Sequence, residues 1–173
     1  MTPYTPQPCR TFPPGPWSDE PNLVGWTDPE TEYECCIIRH GESGHLCGYV
    51  RVPPDHSLAD KEYDSRIPIP KGWMEREVNV PQDIGYFALI TASIQMDEET
   101  AAVGLLIFCH GGLTYGSGNG WFGFDCAHAG DWSPYRSEPI DGGKYRTVAY
   151  TKAECKRLAK QLWEYEHLAG GAR

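Results

Sequence analysis

The stretch LLIFCHGGLTYGSGNGWFGFDCAHAGD, residues 105–131, limits what this chain can fold into more than any other feature. An apolar run ends at His110 and the pair Gly111-Gly112, and a loop rich in Gly and Ser follows. A second apolar run, WFGFDC, then carries Asp125, Cys126, His128 and Asp131 within seven positions. Strand, glycine loop, strand and polar cluster is an order that places chemistry at the end of a packed sheet. In an extended register Trp121, Gly123 and Asp125 share one face, while Phe122, Phe124 and Cys126 share the other. On that register Cys126 is core packing, and His128 lies past the strand end.

Around this centre the chain reads as an α+β protein, mostly antiparallel sheet with a C-terminal helix on one face. Residues 1–32 form a proline-rich extended arm with Tyr4, Phe12, Trp17 and Trp26 and no regular period. Residues 33–173 make a single domain. YECCIIRH (33–40) and HLCGYVRV (45–52) are β-prone runs joined by Gly41-Glu42-Ser43-Gly44, a hairpin signal. Residues 53–74 are a polar loop of the length that serves as a lid. EREVNV (75–80) reads as a strand, and IGYFALITASI and AAVGLLIFC read as two strands about an acidic turn at 97–100. At the C-terminus Thr151-Lys152-Ala153-Glu154 is a capping box with Thr151 as N-cap. Cys155, Leu158, Ala159 and Leu162 follow at helical spacing, which predicts an amphipathic helix stopped by Gly170-Gly171.

Charge narrows the partners. The formal charge is −9, and between Arg76 and Arg136 there is no Lys or Arg against seven carboxylates. An extended nucleic acid needs a track of cations and finds none there. No run is long and apolar enough to span a bilayer, and MTPYTPQPCR lacks the pattern of a signal peptide. Seven cysteines without a secretion signal read as reduced thiols in a cytoplasm. Cys36, His40, His45 and Cys47 crowd the hairpin but match no paired zinc spacing.

The candidate catalytic residues are His110, Asp125 and His128. An imidazole ending an apolar run suits a general base or ligand donor, and a desolvated carboxylate must find donors or a cation. Candidate ligand-binding residues are His45, Gly111, Gly112, Tyr115, Trp121, Arg51 and Arg136. The glycines admit a ligand to the backbone, the aromatics offer stacking, and the arginines supply the missing charge. Arg39 and Lys144 are further sources of that charge, from elsewhere in the fold or from a second copy in a homo-oligomer. Asp131 reads as a turn cap before Ser133-Pro134. HGG also opens the oxyanion-hole loop of α/β-hydrolases, but no G-x-S-x-G elbow accompanies it, and the Gly-rich stretch lacks the ending of a P-loop.

GHLCGYVRVPPDH, HGGLTY, WFGFDCAHAGD and the terminal EC-x₂-LA-x-QL helix together resemble a functionally unassigned group of small proteins common in bacteriophage genomes. The resemblance covers roughly residues 44–56 and 109–165. It implies expression inside a bacterial host and an accessory, non-virion role, and it carries no catalytic residues.

Two classes of function fit these readings. One is a module that sequesters a small host ligand, a nucleotide-derived signal, in a Gly and aromatic pocket. The other is a His/Asp hydrolase working by acid–base chemistry or with a divalent metal, which a cation-free carboxylate cluster would accept. A protein-directed inhibitor using the N-terminal arm is a third.

Overall fold

The computed structural model describes residues 2–75 and 99–170. In chain order the elements are β1 Leu23–Thr27, β2 Glu34–Arg39, β3 Leu46–Arg51, β4 Arg66–Pro68, β5 Thr100–Ala102, α1 Val103–Leu106, β6 Tyr115–Gly116, β7 Trp121–Asp125 and α2 Val148–Gly170. One antiparallel sheet has the order β1-β2-β3-β7-β6, and β4 and β5 form a second, two-stranded one. The α+β class is as the sequence implies. So is the hairpin, whose register pairs Glu34 with Arg51 and Arg39 with Leu46.

Helix α2 packs across β2 and β3. Its buried Cys155, Leu158, Ala159, Leu162 and Tyr165 meet Ile37, Leu46, Val50, Phe122, Phe124 and Cys126 from the sheet. Cys126 therefore lies on the core face with Phe122 and Phe124, as alternation requires. The opposite face buries Cys36, Ile38, Cys47, Tyr49 and Trp121 under Tyr4 and Tyr115. Covering both faces explains why β2 and β3 read as continuous apolar runs.

That second cover comes from the N-terminal arm, which is thus part of the fold. Residues Leu23–Thr27 form edge strand β1, which falls inside the span that patterning assigns to an extended arm. Trp17 is buried against Trp132 and Tyr145. Glu20 pairs with buried Arg39 and accepts the Val148 N–H at 2.8 Å. This tertiary cap moves the start of α2 back by one turn. Thr147, not Thr151, uses its hydroxyl to accept the Tyr150 N–H, and the Thr151 hydroxyl donates to the Thr147 carbonyl.

Two further expectations change. The 53–74 stretch is no free lid, because it contains β4 and sinks Leu58, Ile67 and Trp73 into the main core. The run before His110 is not a strand: Val103–Leu106 turns as a short helix after β5. Glycine at 104 packs a backbone against the Tyr63 carbonyl and favours that tight turn over extension. EREVNV beyond Glu75 and all of IGYFALITASI lie outside the described residues.

Gly48, in the middle of β3, sets the distance between sheet and helix. A Cβ there would stand 2.5 Å from Phe124 and 2.7 Å from the Cys155 sulfur, neither of which has room to retreat. Gly48→Ala is expected to cost about 1–3 kcal/mol through overpacking. A lowered urea midpoint with an unchanged m-value would show it.

Candidate functional site

Strand β7 carries Asp125 to the end of the sheet where β3 begins, with Cys47 opposite Asp125. The chain reverses after His110 through Gly111 and Gly112, at φ +66° and +95°. The segment entering that turn is clamped to α2: the Gln161 amide accepts the Phe108 N–H and donates to the Phe108 carbonyl. A buried glutamine with both functions used leaves the approach to His110 little freedom.

His110 is buried, its side chain 2 % exposed, and it reaches Asp131 rather than Asp125. Its Nε2 lies 2.7 Å from Asp131 Oδ2, and its Nδ1 lies 2.9 Å from the Tyr150 hydroxyl. Arg146 Nε donates to the other Asp131 oxygen at 2.7 Å. The His128 backbone N–H donates to Asp131 Oδ2 at 2.9 Å. Asp131 does cap the 128–131 turn, as expected for it, but the same carboxylate also joins three separate chain segments. Burial by itself raises the Asp131 pKa. The hydrogen bonds from His110 and Arg146 outweigh that and hold it below the usual carboxylate range.

The tautomer follows from the acceptor. An ionised carboxylate can only accept, so His110 carries a proton on Nε2, and in the neutral ring Nδ1 accepts from the Tyr150 O–H. With both nitrogens used and no exposure, His110 is a positioning group and not one that touches a ligand.

His128 and Asp125 are the members that face outward, at 32 % and 27 % exposure. His128 Nε2 stands 3.6 Å from Asp125 Oδ1, beyond hydrogen-bond range, and has no hydrogen-bond partner among the described residues. The Asp125 carboxylate accepts the Ala127 N–H, so it also holds its own turn. The Cδ2–Nε2 side of the His128 imidazole abuts Gly111, where any Cβ would collide with it. Glycine at 111 is thus fixed twice, by its positive φ and by the ring.

His45 sits at the same sheet end, buried, and shares the Ser43 hydroxyl with His40, each Nδ1 at 2.8 Å. The two rings stack with centroids 4.8 Å apart. Burial, then the neighbouring His40, pushes the His45 pKa down to about 4.

The other expected ligand residues lie elsewhere. Trp121 and Arg51 face each other at the far end of β7 and β3, about 13 Å along the strand from Asp125. Trp121 is buried, and Arg51 pairs with Glu34 beside a separate cleft of about 390 Å³. Tyr115 stacks edge-on with Tyr49 under the arm. Arg136 covers the Tyr135 ring. Phe122 and Phe124 are sealed in the core, so a base-stacking aromatic pocket does not form from these residues. The cation at the site is Arg146, which the sequence reading passed over together with Tyr150. Arg146 precedes α2 and Tyr150 lies in its first turn, so no helix-face spacing links them in the sequence.

All seven cysteines are free, and six are buried. Burial pushes Cys35, Cys36 and Cys47 up to about 12, and Cys126 rises as well. None of these is a thiolate near neutral pH. Among the described residues no group of three or more His, Cys, Asp or Glu side chains is arranged to hold a metal ion. Nor is any described helix long and apolar enough to cross a membrane.

The sheet end responds to acid in a defined direction. His45 has a folded pKa below its unfolded one, so its contribution is complete above about 6.5 and is lost as pH falls to about 4. His56, also lowered by burial, adds to the same slope. The melting temperature is expected to hold near pH 7 and to drop between those limits. His45→Gln should flatten part of that drop, and an unchanged slope would count against the assignment.

No protein-family model, curated protein or solved structure matches the chain.

Proposed function

We propose that this chain is a phage-type accessory protein that binds and sequesters a small, nucleotide-derived ligand in the cytoplasm of a bacterial host. The contact surface is the corner made by Asp125, His128, Gly111 and Gly112, with Arg146 behind it. A carboxylate and an imidazole held just outside hydrogen-bond range are a donor–acceptor pair that a ligand can complete. The observation that carries the reading is the unpartnered ring nitrogen of His128. A buried polar atom without a partner costs free energy unless something supplies one.

Three features support the ligand class. Positive-φ glycines let a ligand approach the backbone amides. The Arg146 guanidinium brings a cation to the Asp131 carboxylate beside this corner. A cation beside a carboxylate matches a molecule with phosphate at one end and ribose hydroxyls at the other. The resemblance to bacteriophage proteins supports the host setting. Sequestration is favoured over hydrolysis through His110 because that imidazole is sealed and doubly bonded.

The test is equilibrium binding to a panel of nucleoside monophosphates and cyclic mono- and dinucleotides, followed by denaturation and analysis of what is released. Recovery of an intact nucleoside monophosphate is the expected result. His128→Ala should weaken that binding by about 1–3 kcal/mol, the usual effect of losing one polar partner. Binding indifferent to His128 would refute the site, and release of converted product would favour the hydrolytic alternative.

A further inference from the structure

We propose that Tyr150 is a nucleophile activated by the Asp131–His110 relay, and that its substrate class is a small phosphodiester of the nucleotide type. This goes beyond sequestration and rests on the same site and ligand class, because Gly111 directly follows His110 and its backbone abuts His128. A monophosphate held there stays intact, whereas a phosphodiester is converted to a Tyr150 adduct and an alcohol.

The hydrogen bonds run in one order. Arg146 and His110 both donate to the Asp131 carboxylate, and the Tyr150 hydroxyl donates to His110 Nδ1 at 2.9 Å. A hydroxyl on an imidazole whose far nitrogen is anchored by a carboxylate is the arrangement that activates weak nucleophiles. His110 is buried and Tyr150 partly exposed, so the phenol is the member of the relay that can meet a substrate. The Arg146 guanidinium carbon lies 4.8 Å over the Tyr150 ring, a countercharge for a phenolate. Asp131 then acts as the positioning residue, His110 as the base and Tyr150 as the nucleophile.

In the covalent step the Tyr150 oxygen bonds to phosphorus and the bond from phosphorus to the leaving alkoxide breaks. The phenol proton moves to His110 Nδ1. The alkoxide takes a proton from water, and the His110 proton returned to solvent restores the balance. The products are a tyrosyl phosphodiester and an alcohol.

The full chain is treated with 4-(2-aminoethyl)benzenesulfonyl fluoride, and labelled tyrosines are mapped by peptide mass. Here the same oxygen attacks sulfur, fluoride leaves and the proton goes to His110. Tyr135 and Tyr63, at 50 % and 42 % exposure, serve as internal references. Tyr150 should label roughly 10²-fold faster than either, the lower end of what a positioned base supplies.

Asp131→Asn, checked for folding by its melting transition, should bring the Tyr150 rate close to the reference rate. Should that variant unfold, the ratio in the unaltered chain decides. Equal rates at Tyr150 and Tyr135, or a folded Asp131→Asn that labels as fast as before, would overturn the proposal. With bis(4-nitrophenyl) phosphate, acid-quenched samples should carry one 4-nitrophenyl phosphate on Tyr150, and its absence would overturn the phosphodiester assignment. Loss of labelling leaves the effect of His128→Ala on nucleotide binding to be judged on its own, so the two readings fail separately.

Discussion

One carboxylate holds the polar end of the main sheet together. Asp131 is sealed from solvent, and a charge in that position is costly unless donors surround it. Three do: His110 from the turn after α1, Arg146 from the lead-in to α2, and the His128 amide from its own turn. These segments come from distant parts of the chain, and the shared anion fixes their mutual geometry. Removing it would leave a buried guanidinium contact and a buried imidazole without their acceptor. Charged hydrogen bonds of this kind are stronger than neutral ones, which suits a hub more than ornament on a core.

The rest of the fold delivers those segments to the hub. Gly48 lets α2 settle onto β3 closely enough for Gln161 to grip Phe108, and that grip aims His110. From the other direction the N-terminal arm seats Glu20 against Arg39 and the first amide of α2. Tyr145 lies in the same contact, donating to Glu20, one residue before Arg146. The arm therefore helps to aim the cation of the site, although it never touches His110. An arm so engaged is poorly placed to serve as a free docking element, which weakens the inhibitor alternative.

Much of this architecture was legible in the amino-acid order. Alternation in WFGFDC gave the correct face for Cys126, and the Gly-Glu-Ser-Gly linker marked the hairpin. The polar cluster was located, and the positive φ of Gly111 explains why glycine stands there. What failed was pairing over distance. Asp125 and Asp131 are equally plausible partners for an imidazole on paper, and only the turn after His128 decides between them. Arg146 and Tyr150 look like ordinary residues just before and inside the first turn of a helix, because nothing local reveals that they meet His110 and Asp131. The capping box at Thr151 lost to a cap from Glu20, a contact between residues 128 positions apart that local patterning does not encode. The aromatic stacking pocket failed for a related reason. Trp121, Phe122 and Phe124 are spent on the two cores, and apolar residues next to a polar cluster do not say which way they face the ligand.

The central claim is that an ionised Asp131 fixes His110 as one tautomer, with its proton on Nε2 and its Nδ1 accepting from Tyr150. Imidazole nitrogen-15 spectroscopy of the folded chain near neutral pH reads this directly. The account predicts a protonated Nε2 with a slowly exchanging hydrogen and an unprotonated, hydrogen-bonded Nδ1. A His110 ring protonated on Nδ1, or one averaging rapidly between forms in contact with solvent, would contradict it.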